Sequence, residues 1–156
     1  MKSPHAQKLF DQIDVTISNL NGFITATPLE QSYLAKFLVV FICGIYEEIV
    51  EEIINEMVAK VTNNNPEVCK FIQDHLRYRF RNPDMNNIVK LLKQFNDSWE
   101  TTLLALPRIA RDALNSIVEN KNAIAHGQQT VLTIADVKRY YIDSRVVIEK
   151  IDDMLI

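Results

Sequence analysis

Three polar residues in the last third of the chain combine a proton carrier with an anion-binding cation. Lys121, Asn122 and His126 stand close together, directly before Gly127. An imidazole titrates near neutrality and serves as general base or general acid. A lysine ammonium stabilises developing negative charge. On a helix, Asn122 and His126 share one face, a turn apart. Lys121 lies about 140° around the helix from His126, though its long side chain can still reach a shared groove. One copy of such a helix makes a poor active site. Two copies across a two-fold axis bring two histidines and two lysines to one cleft. Spacing alone also fits an ordinary helix end, with His126 before a glycine that stops the helix.

Other polar groups carry weaker signals. Arg77, Arg79 and Arg81 alternate with Tyr78 and Phe80. That pattern suits an RNA-binding patch with stacking rings. It suits rather better a solvated helix end whose cations meet the dipole and whose aromatics face the core. Glu47, Glu48, Glu51, Glu52 and Glu56 form an acidic run, read as a solvated helix face. His5 falls in an N-terminus expected to fray, and Trp99 reads as core or interface. No phosphate-binding glycine loop, dinucleotide fingerprint, HExxH or GxSxG occurs. No metal-ligand spacing is present, and no cofactor is expected. A phosphotransfer bundle using His126 is disfavoured by the apolar turn Ala123-Ile124-Ala125 before it.

These residues need helices to position them, and the punctuation is helical throughout. Ser3-Pro4 is a cap followed by proline at the first helical position. The first helix is expected to run to about Asn21-Gly22. Thr27-Pro28-Leu29-Glu30 is a capping box that opens a helix reaching Val61. Its apolar residues form two adjacent rows at spacing four, one from Tyr33 to Met57 and one from Leu34 to Val58. Spacing four overshoots a turn by about 40°, so the stripe winds around the helix. The unbroken apolar stretch Phe37–Tyr46 suits burial on all sides, or burial in a subunit interface. Further helices are expected over Glu67–Arg81, Met85–Phe95 and Trp99–Leu104. Another runs from Pro107 to a stop at Gly127, and the last runs from the capping-box-like Thr133-Ile134-Ala135-Asp136 to the C-terminus. The expected fold is all-α, an antiparallel helical bundle of about five to seven helices around one long central helix, within a single domain spanning 1–156.

Bulk properties agree with that reading. The 156 residues carry a net charge of −3, so any RNA contact must come from a local patch rather than a global field. Only 3 glycines and 5 prolines occur, too few for the turns of an all-β fold. Cys43 and Cys69 read as small core hydrophobes in a reducing, cytoplasmic compartment. No signal peptide is expected, and the longest apolar run is too short to span a membrane.

The segment Lys121-Asn122-Ala123-Ile124-Ala125-His126-Gly127 resembles the RNxxxH signature of the HEPN superfamily. The RiboL-PSP subgroup, which often reads RNAIAHG, is the most similar. Ile45-Tyr46-Glu47-Glu48 resembles that family's aromatic-glutamate stretch, and Thr133–Val137 resembles its final-helix start. The resemblance implies an all-α homodimer with the motif at the interface. It implies a metal-independent endoribonuclease of a toxin–antitoxin or antiviral system, with a cognate antitoxin or defence protein as partner. Non-catalytic members bind RNA, a nucleotide or a protein. In the implied reaction the RNA 2′-hydroxyl attacks the neighbouring phosphorus. His126 acts as base or acid, Lys121 stabilises the transition state, and Asn122 orients the histidine or a phosphate oxygen. Glu47 stands behind the motif if the long helix crosses there. One departure is plain: Lys121 occupies the arginine position and lacks that residue's planar, bidentate grip on phosphate.

Overall fold

The computed structural model describes residues 1–20, 22 and 27–156. Among these the chain forms seven α-helices and no strand. They are α1 (Pro4–Leu20), α2 (Pro28–Val61), α3 (Pro66–Arg79), α4 (Met85–Lys93), α5 (Ser98–Leu104), α6 (Arg108–Ala125) and α7 (Ile134–Leu155). The expected all-α bundle with one long helix is the fold observed. The 34-residue α2 is central, because α1, α3, α6 and α7 all pack against it.

Local chemistry sets most of the helix boundaries. At α2, Thr27 Oγ1 accepts from the Glu30 N–H at 3.3 Å, and the Glu30 carboxylate accepts from the Thr27 N–H at 2.6 Å. That reciprocal pair satisfies two otherwise orphaned donors. Thr133 and Asp136 repeat it at α7. Asn65 caps α3 ahead of Pro66, taking the Val68 N–H at 3.0 Å. The expected end of the first helix reaches Asn21, which lies outside the described residues.

The N-terminus does not fray. Ser3 Oγ caps α1 through the Ala6 N–H at 3.0 Å. Asp152, fully buried on α7, accepts the backbone N–H of Ser3 at 2.9 Å and also that of Lys2. Glu56 accepts from Ser3 Oγ at 2.6 Å and faces His5 Nδ1 at 3.2 Å. His5 is therefore tied to α2 through a carboxylate in the middle of the chain, which a local reading cannot foresee.

The apolar rows of α2 are only partly covered. The row Leu38, Ile42, Tyr46, Val50, Ile54, Val58 is buried. In the neighbouring row Ile45, Ile49, Ile53 and Met57 are buried, but Tyr33 and Phe37 remain 62% and 53% exposed. Val40 and Gly44 are exposed as well, so the Phe37–Tyr46 stretch is not enclosed on all sides within this chain.

Tyr46 fixes how α2 is rotated. Its fully buried hydroxyl bonds Ser144 Oγ at 2.9 Å and donates to the Tyr141 carbonyl at 3.3 Å, both on α7. Its ring meets Phe10 of α1 edge-on at 5.9 Å. With Tyr46 locked into the core, Glu47 emerges roughly 100° around the helix. That direction brings its carboxylate to the turn between α3 and α4.

The α3 helix stops two residues before the expected Arg81. Phe80 adopts an extended conformation and is buried in the core, and Asn82 takes a left-handed φ of 56° ahead of Pro83. Burial of one aromatic ring overrides the tendency of this sequence to continue as helix.

Candidate functional site

The site forms where the end of α6 meets the turn of residues 80–84. α6 ends as expected at Gly127, whose φ of 71° favours a residue without Cβ. The Gln128 N–H donates to the Ala123 carbonyl at 2.9 Å, and the Gly127 N–H donates to the Ile124 carbonyl at 3.0 Å. This pair is the Schellman termination, and it leaves His126 at the exposed C-cap. The His126 N–H donates to the Asn122 carbonyl at 3.0 Å, so the two residues stack one turn apart. The imidazole has no hydrogen-bond or ion-pair partner among the described residues.

Lys121 is half-buried and turns the other way. Its Nζ donates to Asn82 Oδ1 at 2.8 Å and to Asn122 Oδ1 at 3.4 Å. Asn82 in turn donates its backbone N–H to Glu47 Oε2 at 3.1 Å. Glu47 therefore reaches Lys121 through one intervening residue. The long helix thus passes behind the motif, which is the condition on which Glu47 is a candidate. The other oxygen of Glu47 takes the Arg81 guanidinium at 3.1 Å, and Glu51 lies 3.6 Å from the same group. Burial, reinforced by Glu47, raises the Glu51 carboxyl above its ordinary value.

The turn itself is clamped from three directions. The Asn87 side-chain amide donates to the Asn82 carbonyl at 2.9 Å and to Asp84 Oδ2 at 3.0 Å. Asn115 of α6 accepts the Met85 N–H at 3.0 Å, pinning the start of α4. Beneath them Cys43 is buried, and burial pushes its thiol up to about 11. Lys121 pulls that value down while Glu47 and Asp84 push it up, so all three act on the thiol electrostatically.

The structure thus joins Lys121 to Glu47 through Asn82 and to Asn122 directly. His126 stands on the same helix end without a side-chain bond to them. The acidic run is only partly a solvated face, since Glu47, Glu51 and Glu56 all hold cations or polar groups. The arginine patch divides likewise. Arg81 is engaged by Glu47, Glu51 and the Arg77 and Phe80 carbonyls, whereas Arg77 and Arg79 are exposed and meet no carboxylate among the described residues. Tyr78 is 79% exposed and Phe80 only 4%. Asn82 is the residue that sequence reasoning passed over. Asn-Pro reads as a helix break, yet asparagine's tolerance of left-handed backbone is what lets it present Oδ1 to Lys121.

Two grooves flank α4. On one side a groove of about 520 Å³ reaches Asn122 and is lined by Asp84, Glu100 and Glu119. On the other, a groove of about 340 Å³ between α3 and α4 is lined by cations, amides and His75 over a floor of Leu76, Phe80 and Leu91. No group of His, Cys, Asp and Glu among the described residues is arranged to hold a metal ion. No described helix is long and apolar enough to cross a membrane.

An all-α bundle whose penultimate helix ends in this polar cluster has the form the HEPN resemblance implies. The family model described as RiboL-PSP-HEPN matches residues 6–156, and the chain belongs to that family. No curated protein and no solved structure matches it.

Proposed function

We propose that the chain is a metal-independent endoribonuclease of HEPN type, working as a homodimer in the cytoplasm. The observation that carries this reading is the division of labour at the α6 end. Lys121 is held in place by Asn82 and Asn122, while the His126 imidazole is exposed and unpartnered one turn beyond Asn122. A fixed cation suits a stationary phosphate, and a free imidazole suits proton transfer to and from solvent or substrate.

In this reading His126 takes the proton from the RNA 2′-hydroxyl as that oxygen attacks the adjacent phosphorus. The 5′-oxygen leaves with a proton, supplied by His126 or its counterpart in the second copy. Lys121 retains an N–H for the developing phosphorane charge, and Asn122 orients a phosphate oxygen. The products are a 2′,3′-cyclic phosphate and a 5′-hydroxyl, and the chain's own groups supply every proton movement. Two copies meeting at the α6 ends double the cationic charge of the cleft. The toxin–antitoxin or antiviral setting, with a protein partner that restrains the enzyme, rests on the family membership.

Purified protein is expected to cut a mixed-sequence RNA in EDTA and to leave cyclic-phosphate ends. Cleavage that requires added metal, or that leaves 3′-hydroxyl ends, would sink the proposal. A second reading is a non-catalytic module that binds RNA, a nucleotide or a protein. It is favoured by the bonds that already occupy Lys121. It predicts no cutting under any of these conditions, with either salt-dependent RNA binding or a stable partner complex.

A further inference from the structure

We infer that the groove between α3 and α4 binds the backbone of single-stranded RNA, with Arg79 and Lys90 as its phosphate-binding cations. The inference rests on the RNA reading above and assigns that substrate a path along the chain.

The groove has a volume of about 340 Å³, and His75, Arg79, Arg81, Asn87, Lys90 and Gln94 supply its polar lining. No carboxylate lines it. In a chain of net charge −3 such a local surplus is distinctive. The cations differ in availability. Arg81 is neutralised from behind by Glu47 and Glu51. Arg79 and Lys90 are exposed and form no ion pair among the described residues. Free cations facing one groove from two helices are the electrostatic footprint of a polyanion.

The second observation is aromatic. A small groove of about 200 Å³ shares His75, Leu76, Leu91 and Gln94 with the first and adds Phe71 and Phe95. These two rings are 68% and 39% exposed. The Phe71 and His75 rings lie 6.3 Å apart. Cations followed by exposed rings match how single strands are held, by phosphate contacts plus base stacking that tolerates any sequence.

The third observation is continuity with the reacting groups. Arg81 and Asn87 line the groove, and Asn87 donates to the carbonyl of Asn82, whose side chain holds Lys121. A strand leaving this groove across the 80–84 turn arrives at the α6 end. The groove on the opposite side of α4 is lined by Asp84, Glu100 and Glu119 and by no lysine or arginine, with Glu100 paired to Lys93.

The test uses full-length His126→Ala protein, so that cleavage cannot obscure binding. The probe is a fluorescein-labelled oligouridylate of twelve nucleotides, read by anisotropy in EDTA across a salt series. Arg79→Gln with Lys90→Gln is expected to raise Kd at least about tenfold and to reduce the salt slope by about 1.4, two phosphate contacts at roughly 0.7 each. Phe71→Ala is expected to weaken binding about fivefold or more without changing the slope. Lys8→Gln on α1, away from the groove, is expected to change neither. All substituted positions are exposed, and unchanged thermal melts establish that the fold is intact. An unaltered Kd and slope in the double variant would overturn the inference. So would full RNA affinity accompanied by lost affinity for a polyglutamate peptide, which would assign the groove to an acidic protein. Because binding is read without turnover, failure here is distinct from failure of the nuclease reading.

Discussion

Asn82 is the joint through which α2 and the α3–α4 turn position Lys121, and its replacement has a calculable cost. The Asn82→Ala substitution removes Oδ1, the acceptor 2.8 Å from Lys121 Nζ. Hydrogen bonds to charged groups contribute about 1.5–3 kcal/mol when buried, and half-exposure here reduces that to about 1 kcal/mol. The residue also sits at φ 56°, where alanine pays about 1 kcal/mol that asparagine largely avoids. Together the loss is about 2 kcal/mol. Asn82→Asp keeps both the left-handed tolerance and an acceptor for the ammonium, so it is expected to stay within about 0.5 kcal/mol of the parent. The backbone N–H that reaches Glu47 is present in both variants. Urea unfolding followed by circular dichroism and by the single tryptophan, Trp99, measures both. In RNA cleavage, Asn82→Ala is expected to lower kcat more than it raises KM, because Lys121 loses its orientation and not its charge. An alanine variant as stable as the parent, or an aspartate variant as damaged as the alanine one, would refute the reasoning.

Three other predictions follow from the same geometry. Lys121→Met is expected to abolish RNA cleavage, while Lys121→Arg is expected to keep it within about tenfold, since the cation is retained; equal rates in the methionine variant would remove Lys121 from the chemistry. With the Cys43 thiol pushed up to about 11, roughly one part in a thousand is thiolate at pH 8, so native protein should react with a thiol reagent at the half-exposed Cys69 and at Cys43 only after unfolding. Two thiols reacting equally in the native state would contradict the burial. Glu51 is held above its ordinary value by burial, so as pH rises the unfolded chain ionises first and the fold loses stability until the native carboxyl has also titrated. Glu51→Gln is therefore expected to raise Tm at pH 7, with the gain shrinking towards pH 4; a lower Tm at pH 7 would mean that the Arg81 ion pair dominates.

What the sequence discloses divides by the range of the interactions. Capping at Ser3, Thr27, Asn65 and Thr133 is settled within three or four residues, so those helix starts are readable directly. The α6 stop is equally local, because Gly127 alone can supply the left-handed turn at low cost. That Lys121, Asn122 and His126 lie at this helix end is legible for the same reason. The end of α3 is not, because it depends on Phe80 finding the core. Nor is the role of Asn82, which acquires meaning only when the fold sets it against a lysine 39 positions later. His5 and Asp152 show the same limit. A residue expected to be loose is fixed by a carboxylate on α2, and the N-terminal backbone is fixed by one on α7. Sequence periodicity identified α2 as the central element. It did not show that Tyr33, Phe37 and Val40 stay uncovered, since coverage depends on how far the neighbouring helices extend.

The measurement that bears most directly on the central claim is the single-turnover rate of RNA cleavage in EDTA for the parent protein and for His126→Ala. The account predicts cyclic-phosphate products from the parent and a rate lower by about 10²–10⁴-fold in the variant, the usual contribution of a positioned acid–base group. Equal rates, with both proteins folded, would contradict it.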